Sequence, residues 1–195
     1  LYHNDLESVG MKLRALLIDS RYPVDTAVSK SGKNHFNTAE SYFMKADYPN
    51  AIKYYKKALD SDPDYYKAYL YLGDCYYQNG KLDEAEEIFK ECADSFPNLM
   101  EPIKFYFDAQ YNQKDFGKAY ESALRALFVY PDIGMQLKFD RVCTKLNKSY
   151  NQHWFSRTQL PNALKAVNAP EAPGTWKYYQ EGFEKIREYT DTLTG

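Results

Sequence analysis

The sequence predicts an all-α fold, a solenoid of stacked antiparallel helix pairs with flanking helices, and three observations predict it. Slid against itself by 34 residues, the chain aligns without a gap over segments 32–65, 66–99 and 100–133. Across these segments proline recurs as Pro63, Pro97 and Pro131, alanine as Ala51, Ala85 and Ala119, and an apolar or aromatic residue three earlier as Tyr48, Leu82 and Phe116. Within each segment, apolar residues return at helical spacing on two successive faces. A repeat of this length buries its apolar faces only against its neighbours, so the period decides the architecture.

Taken in order, the elements begin with a helical stripe of Leu6, Val9, Leu13, Leu16 and Leu17 that ends near Tyr22-Pro23. "LRALLIDSRYP" (Leu13 to Pro23) echoes "LRALFVYP" (Leu124 to Pro131), so this helix is expected to cover an open end of the stack. "PVDTAVSKSGKN" reads as a polar linker, completing an N-terminal region over 1–31. In the first repeat Tyr42 and Phe43 end one apolar face, "KADYP" turns the chain, and Ala51, Ile52, Tyr55, Ala58 and Leu59 form the second face. In the next, Asn79-Gly80 stops a helix, and Ala85, Ile88, Phe89 and Cys92 form the following face. A proline closes each second helix because it lacks the backbone N–H the ladder needs. Beyond the repeats, Met135, Leu137, Phe139, Val142 and Leu146 predict a capping helical segment within 134–159. The three prolines of Leu160 to Gly174 mark a linker, and Thr175 is placed to cap an amphipathic helix over 175–195 carrying Trp176, Tyr179, Phe183, Ile186 and Leu193.

Small side chains at Gly73, Ala51, Ala85 and Ala119 let paired helices approach toward the short end of the usual ~8–10 Å range, while rings fill the space beside each crossing. Tyr69-x2-Leu72-Gly73-x2-Tyr76, followed by Ala85-x3-Phe89 and Pro97, resembles the tetratricopeptide repeat. The first repeat keeps Ala39, Tyr42, Ala51, Tyr55, Ala58 and Pro63. The third replaces the Leu-Gly-Tyr set with Tyr106, Phe107 and Gln110 but keeps Ala119, Ala123, Ala126 and Pro131. The resemblance covers about half the chain. It implies a right-handed α-solenoid whose first helices line a concave groove, and an interaction module rather than an enzyme.

On that groove the repeat sets residues in columns: Glu40, Asp74 and Asp108; Phe43, Tyr77 and Tyr111; Asn37, Tyr71 and Phe105; Lys33, Lys67 and Glu101. A carboxylate stripe beside an aromatic one favours a peptide or partner protein with basic residues between apolar ones. The plainer reading stays open beside it, in which the acids keep an exposed face soluble and the rings pack between units. Many co-chaperones of the family grip a C-terminal carboxylate with lysine, asparagine and arginine. The matching positions are Phe36, which is also expected to line the groove, Glu40, Tyr71, Glu101 and Phe105; none keeps such a side chain, so binding of acidic tails is not expected.

Composition narrows the remaining classes. A net charge of −2 argues against nucleic-acid binding, and no apolar run approaches the ~20 residues of a membrane-spanning helix. Tyrosine occurs 20 times, a residue suited to half-buried surfaces and interfaces. His3, His35 and His153 lie far apart, Cys75, Cys92 and Cys143 have no metal-site spacing, and no nucleophile elbow occurs, so neither metal, cofactor nor catalysis is expected. "SKSGKN" lacks the leading glycine of a phosphate loop, being Ala27, and its final Ser or Thr, being Asn34. The rival to groove binding is a spacer in a larger, envelope-associated protein that forms a homodimer through the C-terminal helix. A start at Leu1 fits a processed or trimmed boundary, and the compartment, cytoplasmic or exported, stays open.

Overall fold

A computed structural model of the chain describes residues 28–97, 99–129 and 133–147. The expected N-terminal stripe, the linker at 160–174 and the helix at 175–195 lie outside the described residues. Among the described residues are seven helices and no strand: α1 (Lys30–Phe43), α2 (Tyr48–Ser61), α3 (Tyr66–Gln78), α4 (Leu82–Ser95), α5 (Met100–Asn112), α6 (Phe116–Val129) and α7 (Ile133–Lys145). They fall into two compact units, one ending at Phe96 and the other beginning at Pro97. In the first, α1 packs on α2, α2 on α3 and α3 on α4; in the second, α5 packs on α6 and α6 on α7. Nearest-neighbour packing of helix pairs is the predicted repeat architecture.

The turn between paired helices is the same in every repeat. Ala46, Gly80 and Lys114, spaced by 34, all take positive φ, at 55°, 76° and 63°. The N–H of each donates back three residues, to the carbonyls of Phe43, Tyr77 and Tyr111. The following N–H, of Asp47, Lys81 and Asp115, reaches the carbonyls of Tyr42, Tyr76 and Gln110. This double closure satisfies carbonyls that the helix end leaves bare. The next helix then starts at once, with Ala51, Ala85 and Ala119 donating to Asp47, Lys81 and Asp115.

Small residues stand where sequence placed them. Ala51, Ala85 and Ala119 are fully buried. A Cβ on Gly73 of α3 would run into the ring of Phe89 on α4, so the pair crosses at glycine because anything larger collides. Gly32 plays a related part at the start of α1. Ser29 accepts the Gly32 N–H at 3.0 Å, and Asp62 beyond α2 accepts both the Ser29 hydroxyl at 2.8 Å and its N–H at 3.1 Å. A side chain at Gly32 would strike that carboxylate. "SKSGKN", expected as the end of a linker, is therefore a capped helix start.

One pair of positions within each repeat shows how tolerant the design is. Tyr42 stacks on Tyr54 at 5.5 Å in the first repeat. The second has Tyr76 and Ile88 there, and in the third the Ser122 hydroxyl donates to the buried Gln110 at 2.7 Å. The third repeat departs from the Leu-Gly-Tyr pattern at both ends of this contact together. Against α6, α7 buries Met135, Phe139, Val142 and Cys143. Leu137, expected on that stripe, faces outward, because it falls off the face that the other four define.

Candidate functional site

Helices α1 and α3 carry most of the expected groove. The structure holds Lys33, Asn37 and Lys67 exposed, Glu40, Phe43, Asp74 and Tyr77 half-buried, and Tyr71 exposed to 38%. Lys67 lies 6.0 Å from the ring of Tyr66. Phe36 is a correction: it is 7% exposed and packs on the rings of Tyr55, Tyr65 and Tyr71 at 5.3, 4.8 and 5.5 Å. It is core, not lining. Phe43 is shared between the two roles, with its ring edge-on to Tyr48 at 5.9 Å and to Tyr71 at 6.1 Å.

Beneath Tyr71 lies a group that the sequence reading placed only in the core. Tyr55 of α2 is fully buried, its ring stacked on Tyr71 at 5.8 Å. Its hydroxyl has no hydrogen-bond partner among the described residues. Burial first, and then the nearby Cys75, Glu40, Tyr71 and Asp74, push its pKa far above the ordinary phenol value, so the group stays a neutral hydroxyl. Burial likewise pushes the Cys75 thiol up to about 12, with Asp74 adding to it. Asp74 accepts the Gln78 amide at 3.2 Å through one oxygen, whereas the Glu40 carboxylate meets no cation among the described residues.

The second unit treats its share of the columns differently. Glu101 is exposed, Phe105 is 38% exposed, and Tyr111 packs between Phe107 at 5.7 Å and Phe116 at 5.4 Å. Tyr111 and Phe116 stand where Phe43 and Tyr48 stand in the first repeat, so each of these rings packs on the second helix of its own repeat, and Phe43 also on Tyr71 of the next. Asp108 is not an uncompensated acid. Lys138 of α7 donates to both its oxygens, at 2.6 and 2.8 Å, and lies 5.3 Å from the Phe107 ring centre. No sequence signal pointed to Lys138, because it lies past the last repeat and the column reading ends at Asp108. Among the described residues no group of three or more His, Cys, Asp or Glu side chains is placed to hold a metal ion.

Fold and exposed face together define an α-helical repeat protein built from helix pairs. The family model described as Tetratricopeptide repeat matches residues 42–102 of it. Solved structures agree on the fold. The first tetratricopeptide domain of Spaghetti (RPAP3), bound to the HSP90 peptide SRMEEVD, has a TM-score of 0.54 at 17% identity, covering 62% of this chain and 98% of its own. The Sgt2 domain from Aspergillus fumigatus has a TM-score of 0.54 at 16% identity, covering 65% and 85%. MamA has a TM-score of 0.54 at 17% identity, covering 85% and 89%. No curated protein matches the sequence.

Proposed function

We propose that this chain is a non-enzymatic interaction module that holds a partner polypeptide on the face of α1 and α3. The observation that carries this is the exposed Tyr71 ring, set beside Glu40 and Asp74 on a repeat fold with no catalytic constellation in its sequence. An exposed ring flanked by carboxylates suits a partner bearing basic residues between apolar ones. The solved Spaghetti domain binds an acidic peptide, SRMEEVD. Here Glu40 and Tyr71 occupy positions where family co-chaperones carry carboxylate-gripping side chains, so that peptide would meet repulsion.

The experiment is affinity capture from the native source with the wild-type chain and with Glu40→Lys/Asp74→Lys, followed by identification of the captured proteins. A partner retained by wild type and lost by the charge-reversed chain, with circular dichroism unchanged, is the expected result. Equal capture by both chains, or measurable affinity of wild type for SRMEEVD by calorimetry, would count decisively against the reading.

A further inference from the structure

We infer that the face of α1 and α3 seats the ammonium group of one lysine of the partner, between Glu40 and Asp74, with the Tyr55 hydroxyl as its floor and the Tyr71 ring as its cover. This deepens the groove reading above and rests on it. Two independent observations carry it. The first is the Tyr55 hydroxyl, buried and without a partner among the described residues although a phenol both donates and accepts. Such a group is costly to leave unmet. The charges that bear on it come from two different helices, Glu40 of α1 and Asp74 of α3. Of the rings that pack on Tyr55, Phe36 at 5.3 Å is buried and Tyr71 at 5.8 Å is exposed to 38%, so the solvent side of the hydroxyl is reached past Tyr71.

The second observation gives the occupant's chemistry. Asp108 stands 34 residues after Asp74, and it receives the Lys138 ammonium on both oxygens at 2.6 and 2.8 Å. The same nitrogen lies 5.3 Å from the Phe107 ring centre. The chain thus already matches one acid of this column with a lysine over an aromatic face. A lysine ammonium has three donors and no acceptor. Glu40, Asp74 and the Tyr55 hydroxyl offer three acceptors, and Tyr71 offers the ring. The third repeat's acid thus meets a lysine of the chain, whereas among the described residues Glu40 and Asp74 meet none, and the partner supplies it.

The test is calorimetric titration of the full chain, at low salt, with the blocked pentapeptide Leu-Lys-Leu-Lys-Leu and its Nε-acetyl-lysine counterpart. The free-lysine peptide is expected to bind at least about tenfold more tightly, since acetylation removes the charge and a buried charge pair is worth that much or more. Tyr55→Phe, which removes no hydrogen bond made among the described residues, and Asp74→Asn are each expected to reduce this preference about threefold or more. Preference unchanged in a folded Tyr55→Phe chain would overturn the seat. So would equal affinity for the two peptides; if Tyr71→Ala then weakened both, the groove reading would survive while the lysine seat would not. Absence of binding by either peptide, or binding that Tyr71→Ala leaves unaltered, would overturn both.

Discussion

At the scale of single residues, two backbone positions carry more of the repeat than their chemistry suggests. The turn demands a left-handed residue at Ala46, Gly80 and Lys114, and glycine supplies it only once. An L side chain there is strained by about 1–2 kcal/mol, partly offset by glycine's larger entropy loss on folding. Ala46→Gly and Lys114→Gly are therefore each expected to raise unfolding free energy by roughly 0.5–1 kcal/mol, and Gly80→Ala to lower it by a similar amount. Urea titrations of the three variants check this; a neutral Gly80→Ala would mean the turn relaxes. Gly73 makes the opposite demand, for space rather than for φ. Alanine at a helix interior gains about 1 kcal/mol in propensity, yet here its Cβ meets the buried Phe89 ring, and overpacking costs about 1–3 kcal/mol. Net destabilisation by Gly73→Ala is expected, and addition of Phe89→Leu should recover part of it despite the cavity that change makes alone. A double-mutant cycle showing no coupling between the two sites would refute the close crossing.

At the scale of helices, the caps differ among repeats that are otherwise in register. Asp47 accepts the Asn50 N–H at 3.3 Å and Asp115 the Lys118 N–H at 3.2 Å, each capping the second helix of its repeat. The equivalent residue of the second repeat is Lys81, which makes no side-chain cap on α4. Its ion pair with Glu84 spans 3.8 Å between half-exposed side chains, and such exposed pairs are worth under ~1 kcal/mol. Lys81→Asp is therefore expected to stabilise the chain by about 1 kcal/mol, with calorimetric melting as the readout and an unchanged or lower midpoint as the contrary result. Legibility follows the same logic. Helices, turns and tight crossings were readable because each is imposed by local spacing and then repeated three times. Phe36 was misplaced on the groove although its equivalent Leu70, also buried, was in plain view 34 residues on. The Lys138 pairing of Asp108 and the bare Tyr55 hydroxyl were not readable. The first joins a repeat to a helix outside the period, and the second depends on where a ring tip lands in a core, which periodicity does not encode.

At the scale of the whole molecule, stability in a stack is distributed, each repeat resting on its neighbours rather than on one shared centre. The three free cysteines provide probes of that distribution. Cys75 and Cys92 are buried in the unit that ends at Phe96, and Cys143 is buried in the unit that follows. With the Cys75 thiol pushed up to about 12, almost none is thiolate at pH 8, and alkylation must wait for the structure to open. When reclosing outpaces alkylation, the labelling rate tracks the opening free energy, with about tenfold in rate for every ~1.4 kcal/mol. Gly73→Ala is then expected to accelerate labelling of Cys75 and Cys92 more than that of Cys143. Ala119→Val, an overpacking change at a fully buried small site of the second unit, is expected to do the reverse. Site-resolved mass spectrometry after timed alkylation reads both. Equal acceleration at all three thiols by either substitution would show that the chain opens as one block, in which case loss of partner binding in a destabilised repeat would report on the entire stack and not on the face that α1 and α3 present.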